Sequence, residues 1–115
     1  MSVPGKWQLH YDFGCSGNYS QTEIDFNTSG AFSIPAFGET GRWSSHDGQI
    51  LFQFDGQIGS HQTTYGAAVV DSAMVGIMSV FNGTDGCWYA IKSTATTRTL
   101  AEHKPKLSPS GKAAK

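Results

Sequence analysis

Gly5–Cys15 reads GKWQLHYDFGC, and its alternation decides how the rest of the chain is read. Trp7, Leu9, Tyr11, Phe13 and Cys15 recur at every second position, with Gln8, His10, Asp12 and Gly14 between them. A period of two puts one set on each face of an extended strand, so this stretch is a half-buried β-strand. A partner lies near the far end, at Gly86–Lys92, GCWYAIK. These two strands are expected to close a barrel on each other.

The residues between them continue the pattern. After a first strand over Lys6–Cys15, strands are expected at Ser20–Asn27, Ala31–Phe37, Thr40–Ser45, Gln49–Asp55, Gln62–Val70, Ala73–Phe81 and Cys87–Ser93. The intervening segments are rich in turn residues: Asn27-Thr-Ser-Gly30, His46-Asp-Gly48 of the Asp-Gly hairpin type, and Asn82-Gly-Thr-Asp-Gly86. Pro35 cannot donate to a ladder and marks a rim position. No amphipathic helical period occurs. The chain is therefore expected to be all-β: a single eight-stranded antiparallel up-and-down β-barrel over residues 1–95, followed by a flexible C-terminal tail at 96–115. The tail lacks alternation, and its LSPSGKAAK carries Pro, Ser, Gly and Lys.

Composition narrows the function classes. The 115 residues carry 8 basic and 9 acidic side chains, net −1. No basic face is implied, so nucleic acid is not the expected partner. No apolar run is long enough to span a membrane. The opening Met1-Ser-Val-Pro4 has neither a basic n-region nor an apolar h-region, which leans the expected location to the cytoplasm, or to a matured form with an added Met. The four histidines show no ligand spacing, and neither a metal nor a cofactor is expected. His10 and Asp12 share the outward face of the first strand and are expected to be solvated. Asn18, Asn27 and Asn82 each fit the glycosylation acceptor pattern, which tight-turn chemistry also explains.

The two cysteines end the first strand and begin the last. In a closed barrel with an even strand count, first and last strands are antiparallel neighbours. Cys15 and Cys87 therefore belong at one rim, across the seam. A disulfide satisfies that geometry, whereas a pair of packed free thiols suits a reducing compartment, and both readings stand. If Cys87 shares the inward face with Cys15, Tyr89 and Ile91 point inward and Trp88 points out.

Fourteen aromatic residues is a dense set for this length. Trp7, Tyr11, Trp43, Phe52, Tyr65 and Tyr89 fall on inward faces by alternation, with Met74 and Met78 beside them. They form either a filled core or a pocket with aromatic walls and hydroxyl handles. In the pocket reading Tyr11, Trp43, Phe52, Tyr65, Met78 and Tyr89 line a site for a small hydrophobic or aromatic molecule. As an enzyme of cyclase or isomerase type, the same barrel would use Tyr65, Tyr89 and Arg42 as hydrogen-bond donors, with Arg42 acting only at the rim. As a protein- or glycan-binding module it would act through rim loops 15–20, 55–62 and 82–86. Leu51, Val75 and Ile77 point away from the inward set, which suggests a homodimer contact unless the strand parity is reversed.

Gly5-Lys6-Trp7 opening the first strand, together with the eight-strand meander, resembles the calycin group of lipocalin-like and avidin-like barrels. The resemblance covers about residues 5–93. It implies an open-mouthed pocket and a plugging role at one barrel end for Trp7. The C-terminal helix and later motifs of lipocalins are not found, and the polar ligand set of avidins does not align.

Overall fold

The computed structural model describes residues 3–55, 63–80, 83–93 and 108–110. Eight strands follow in chain order: β1 (Gly5–Phe13), β2 (Ser20–Phe26), β3 (Ala31–Ile34), β4 (Glu39–His46), β5 (Gln49–Phe54), β6 (Thr63–Val70), β7 (Ala73–Val80) and β8 (Gly86–Lys92). Each pairs antiparallel with the next, and β8 pairs with β1, so the sheet closes into an up-and-down barrel. The seam runs from Trp7 opposite Lys92 to Phe13 opposite Gly86. Among the described residues there is no helix.

The two rims differ. At one end β2–β3, β4–β5 and β6–β7 turn over short segments, residues 27–30, 47–48 and 71–72. Asp47 and Gly48 both take positive φ, 51° and 76°. That is the conformation an Asp-Gly hairpin adopts to match strand twist. Trp7 sits fully buried towards this end. Its indole Nε1–H donates to the Val3 carbonyl at 2.8 Å. The Lys92 ammonium lies 5.4 Å above its ring, a cation–π contact, and donates to the Pro4 carbonyl. The first strand's tryptophan thus forms the floor.

The other end carries the longer connections and is the mouth. Several contacts hold it in shape. Asp12 accepts from the Gly17 amide at 2.7 Å and the Ser16 hydroxyl at 2.9 Å. Asp85 accepts from Val80 N at 2.8 Å through its carboxylate and from Gly14 N at 2.7 Å through its carbonyl. Cys15 and Cys87 form a disulfide here, with Cα atoms 5.2 Å apart, which selects the bridged reading.

The inward set along β1 to β7 follows the alternation: Leu9, Ile24, Phe26, Phe32, Ile50, Phe52, Met74 and Met78 are all buried. Phe52 is the hub. Its ring lies 4.6 Å from Tyr65 in a stacked pair, and 5.1, 5.4 and 5.4 Å from Phe32, Phe26 and Trp88 edge to face. These rings fill the middle of the barrel. Leu51, Val75 and Ile77 are exposed on the outer wall.

On β8 the expected parity is reversed. Trp88 is inside, opposite Tyr11, and Tyr89 is outside, opposite His10. The reason lies in Gly14 and Cys15. β1 ends at Phe13, and the next two residues take φ of 87° and 51°. Left-handed backbone breaks the alternation, so Cys15 leaves the inward set and meets Cys87 from outside. Cys87 then faces out, Trp88 faces in, and Ile91 is exposed. His10 and Asp12 are not simply solvated either. His10 stacks on Tyr89 at 4.3 Å with rings 6° from parallel, and Asp12 is buried under the 14–19 loop. The third strand ends at Ile34 rather than Phe37, because Pro35–Gly38 closes as a turn through Phe37 N to the Ile34 carbonyl. Most of the tail expected at 96–115 lies outside the described residues.

Candidate functional site

Extending the inward period of β2, β4 and β6 two residues toward the mouth reaches polar side chains. On β2 the step from Ile24 reaches Thr22, on β6 the step from Tyr65 reaches Thr63, and on β4 the step from Gly41 reaches Glu39. Register confirms that they face inward: Thr22 pairs with buried Leu9, Glu39 with buried Ile34, and Thr63 with buried Val80. Tyr11 and Tyr65 rise beside them. The upper barrel therefore holds a carboxylate, two phenols and two threonine hydroxyls above an aromatic base.

Their electrostatics couple. Burial pushes the Tyr65 phenol well above its ordinary pKa, and the nearby Tyr11 and Glu39 push it further. Burial also raises Tyr11, with Glu39 adding to the rise and a hydrogen bond with Ser20 opposing it. Both phenols stay protonated and remain donors. Glu39 supplies the acceptor and the charge. Two oxygens in this region, Thr22 Oγ1 and Glu39 Oε1, are buried with no hydrogen-bond partner within the described residues. Thr22 is only 6 % exposed. A buried polar atom without a partner costs about 1–3 kcal/mol, so native structures rarely leave one without a reason.

The chain itself reaches into the mouth. Ser108, Pro109 and Ser110 are all buried. The Tyr65 hydroxyl donates to the Pro109 carbonyl at 2.6 Å, and the Thr63 hydroxyl donates to the Ser110 carbonyl at 2.8 Å. Ser108 and Ser110 both donate to Glu39 Oε2, the former at 3.1 Å.

Of the residues expected to line a pocket, Tyr11, Tyr65 and Met78 come together in the upper half, Met78 pairing with Tyr65 across β6 and β7. Phe52 lies in the filled middle. Trp43 lies toward the floor, half-buried, its Nε1–H donating to the Asn27 carbonyl at 2.9 Å and its ring against Phe26. Tyr89 is on the outer wall with Tyr19 and His10, which corrects its inward placement. Arg42 is exposed on the outer face of β4. Of the three donors considered for an isomerase, only Tyr65 faces the interior. Sequence reasoning missed Glu39, Thr63 and the Ser108–Ser110 segment, and it left Thr22 out of the site. Period alone could have found the first two, because they continue the inward faces of Gly41 and Tyr65.

A groove of about 540 Å³ also lies on the outer wall across β4–β7, lined by Ser44, Leu51, Gly66, Ala68 and Ile77 among others. It holds no ionisable constellation apart from the exposed His46 at its edge. Among the described residues no group of histidine, cysteine and carboxylate side chains could hold a metal ion. No protein-family model, no curated protein and no solved structure matches the chain.

Proposed function

We propose that this chain is a calycin-type barrel that binds a small molecule at its mouth. The ligand has an apolar body, at least one carbonyl oxygen and at least one hydroxyl or amine donor. The observation that carries this reading is the inward polar set of Tyr11, Thr22, Glu39, Thr63 and Tyr65 above an aromatic base, with Thr22 Oγ1 and Glu39 Oε1 buried and without a hydrogen-bond partner among the described residues. Apolar walls with a few convergent polar groups are the usual make-up of a small-molecule site. Protonated phenols and threonine hydroxyls donate to carbonyls, and a carboxylate accepts from hydroxyls or amines. The filled middle of the barrel shifts the expected ligand away from a purely hydrophobic one held deep inside, toward a polar-headed one held high.

Titration with N-benzoyl-L-serinamide, followed by tryptophan fluorescence, tests the reading, with toluene as the apolar comparison. Saturable binding of the serinamide is expected, weakened about tenfold by Tyr65→Phe or Glu39→Gln, since one hydrogen bond to a buried group is worth about 1–3 kcal/mol. Toluene binding of equal strength, or no saturable binding by either wild type or a variant lacking the two serine hydroxyls at 108 and 110, would refute it.

A further inference from the structure

We infer that Ser108–Ser110 is a tethered occupant of the mouth site, which an external ligand must displace. The inference rests on the mouth being a ligand site and identifies what that site holds when no ligand is present. The segment satisfies the site's donors and acceptor in the sense the chemistry demands. Its two successive carbonyls, on Pro109 and Ser110, accept from Tyr65 and Thr63. Its two hydroxyls donate to one oxygen of Glu39 and lie 3.1 Å from each other. Proline contributes a carbonyl without bringing an amide N–H that would need its own partner. The match is incomplete: Glu39 Oε1 and Thr22 Oγ1 stay without partners among the described residues. An incoming ligand that reaches those two atoms gains contacts the segment does not make.

The connection permits exchange. β8 ends at the floor rim with Lys92, paired to Trp7, whereas Ser108 sits at the mouth. Residues 94–107 join them, and the chain from Ser93 to Ser108 can span roughly 50 Å when extended. The longest dimension of the described molecule is 34 Å. The segment can therefore leave the mouth without disturbing the sheet, whose closure through β1 and β8 does not involve it. At an effective concentration of about millimolar for a segment of the same chain, filling the site nine-tenths of the time needs an intrinsic Kd of about 0.1 mM.

The test is a fluorescein-labelled peptide spanning residues 106–112, KLSPSGK, titrated by anisotropy into the full chain and its S108A/S110A variant. If the wild-type segment occupies the site nine-tenths of the time, the wild type takes the peptide about tenfold more weakly than the variant. Adding E39Q to the variant should abolish that gain. Equal affinity of wild type and S108A/S110A overturns the inference, as does failure of the variant to bind the peptide. If the variant lacks a native near-ultraviolet dichroism spectrum, S108A is read by the same criteria. The outcomes separate from those of the binding proposal. Serinamide binding without peptide binding removes the tethered occupant and keeps the ligand site, whereas loss of serinamide binding in both proteins removes the site.

Discussion

Replacing both cysteines, Cys15→Ser with Cys87→Ser, should destabilise the barrel without altering its folded form. The bridge joins residues 72 apart. In the chain-entropy model a loop of that size contributes about 4 kcal/mol by restricting the unfolded chain. Total stabilities of such domains run about 5–15 kcal/mol, so the loss is a large share. The folded state should not share in it. β1 and β8 are already in register up to Phe13 opposite Gly86, and the next amide, Gly14 N, bonds to Asp85 O. The seam is zipped up to the point where the staple attaches. Urea unfolding followed by tryptophan fluorescence measures the effect. With a slope of about 2 kcal/mol per molar, the midpoint should fall by about 2 M, and the slope should rise because the uncrosslinked unfolded chain exposes more surface. A midpoint within about 0.5 M of wild type would refute the reasoning. So would uptake of two alkylating groups by unreduced wild type.

Three further outcomes are expected. Gly76→Ala should cost about 2 kcal/mol or more, read as a fall in melting temperature, because its Cβ would overlap the Gly66 carbonyl oxygen and crowd Ala67; an unchanged melting temperature would show that β6 and β7 can separate there. Burial lowers the His10 pKa, so the unfolded state takes up the proton first and stability should fall as pH drops from about 6.5 through the folded value; His10→Phe, which keeps the stack on Tyr89, should flatten that part of the stability–pH curve, and an unaltered slope would discount it. At Asp12 desolvation raises the pKa, but hydrogen bonds from Gly17 and Ser16 outweigh it and the net shift is downward; its contribution is present above about pH 3.9 and is lost as pH falls through the lower folded value. Asp12→Asn should speed hydrogen exchange at the Gly17 amide at neutral pH, and unaltered exchange would discount the loop tether.

The strands were legible because burial on one face writes a period of two into the sequence, and seven of the eight inward sets follow it. The eighth failed at one step. Alternation runs from Phe13 through Gly14 to Cys15, and from there to Cys87, only where the backbone stays extended, and a glycine between a strand and a cysteine is where left-handed backbone enters. One misplaced cysteine reversed the whole of β8 and put Tyr89 in the pocket instead of Trp88. The site was half legible for a related reason. Tyr11 and Tyr65 stood out as aromatics on an inward face. Glu39 occupies an equivalent inward position but is a carboxylate, and a carboxylate at a strand end ordinarily faces water. The Ser108–Ser110 segment has no period, and its bonds to Thr63, Tyr65 and Glu39 span 44 to 71 residues. Local pattern carries no information over that distance.

The unequal rims also govern where the chain can be altered. At the floor, residues 47–48 and 71–72 turn in the fewest positions a hairpin allows, and Asp47, Gly48 and Asp71 hold positive φ to do so. An inserted residue there would shift a strand by one position and turn its inward face outward. At the mouth, β1 and β2 are joined over residues 14–19, six positions rather than two, so this connection is not held to the two-residue limit. New recognition sequences therefore belong at the mouth, next to the polar set. A label or surface anchor belongs at the opposite end, on the exposed Lys6 near the start of the first strand, where it would leave the entrance clear.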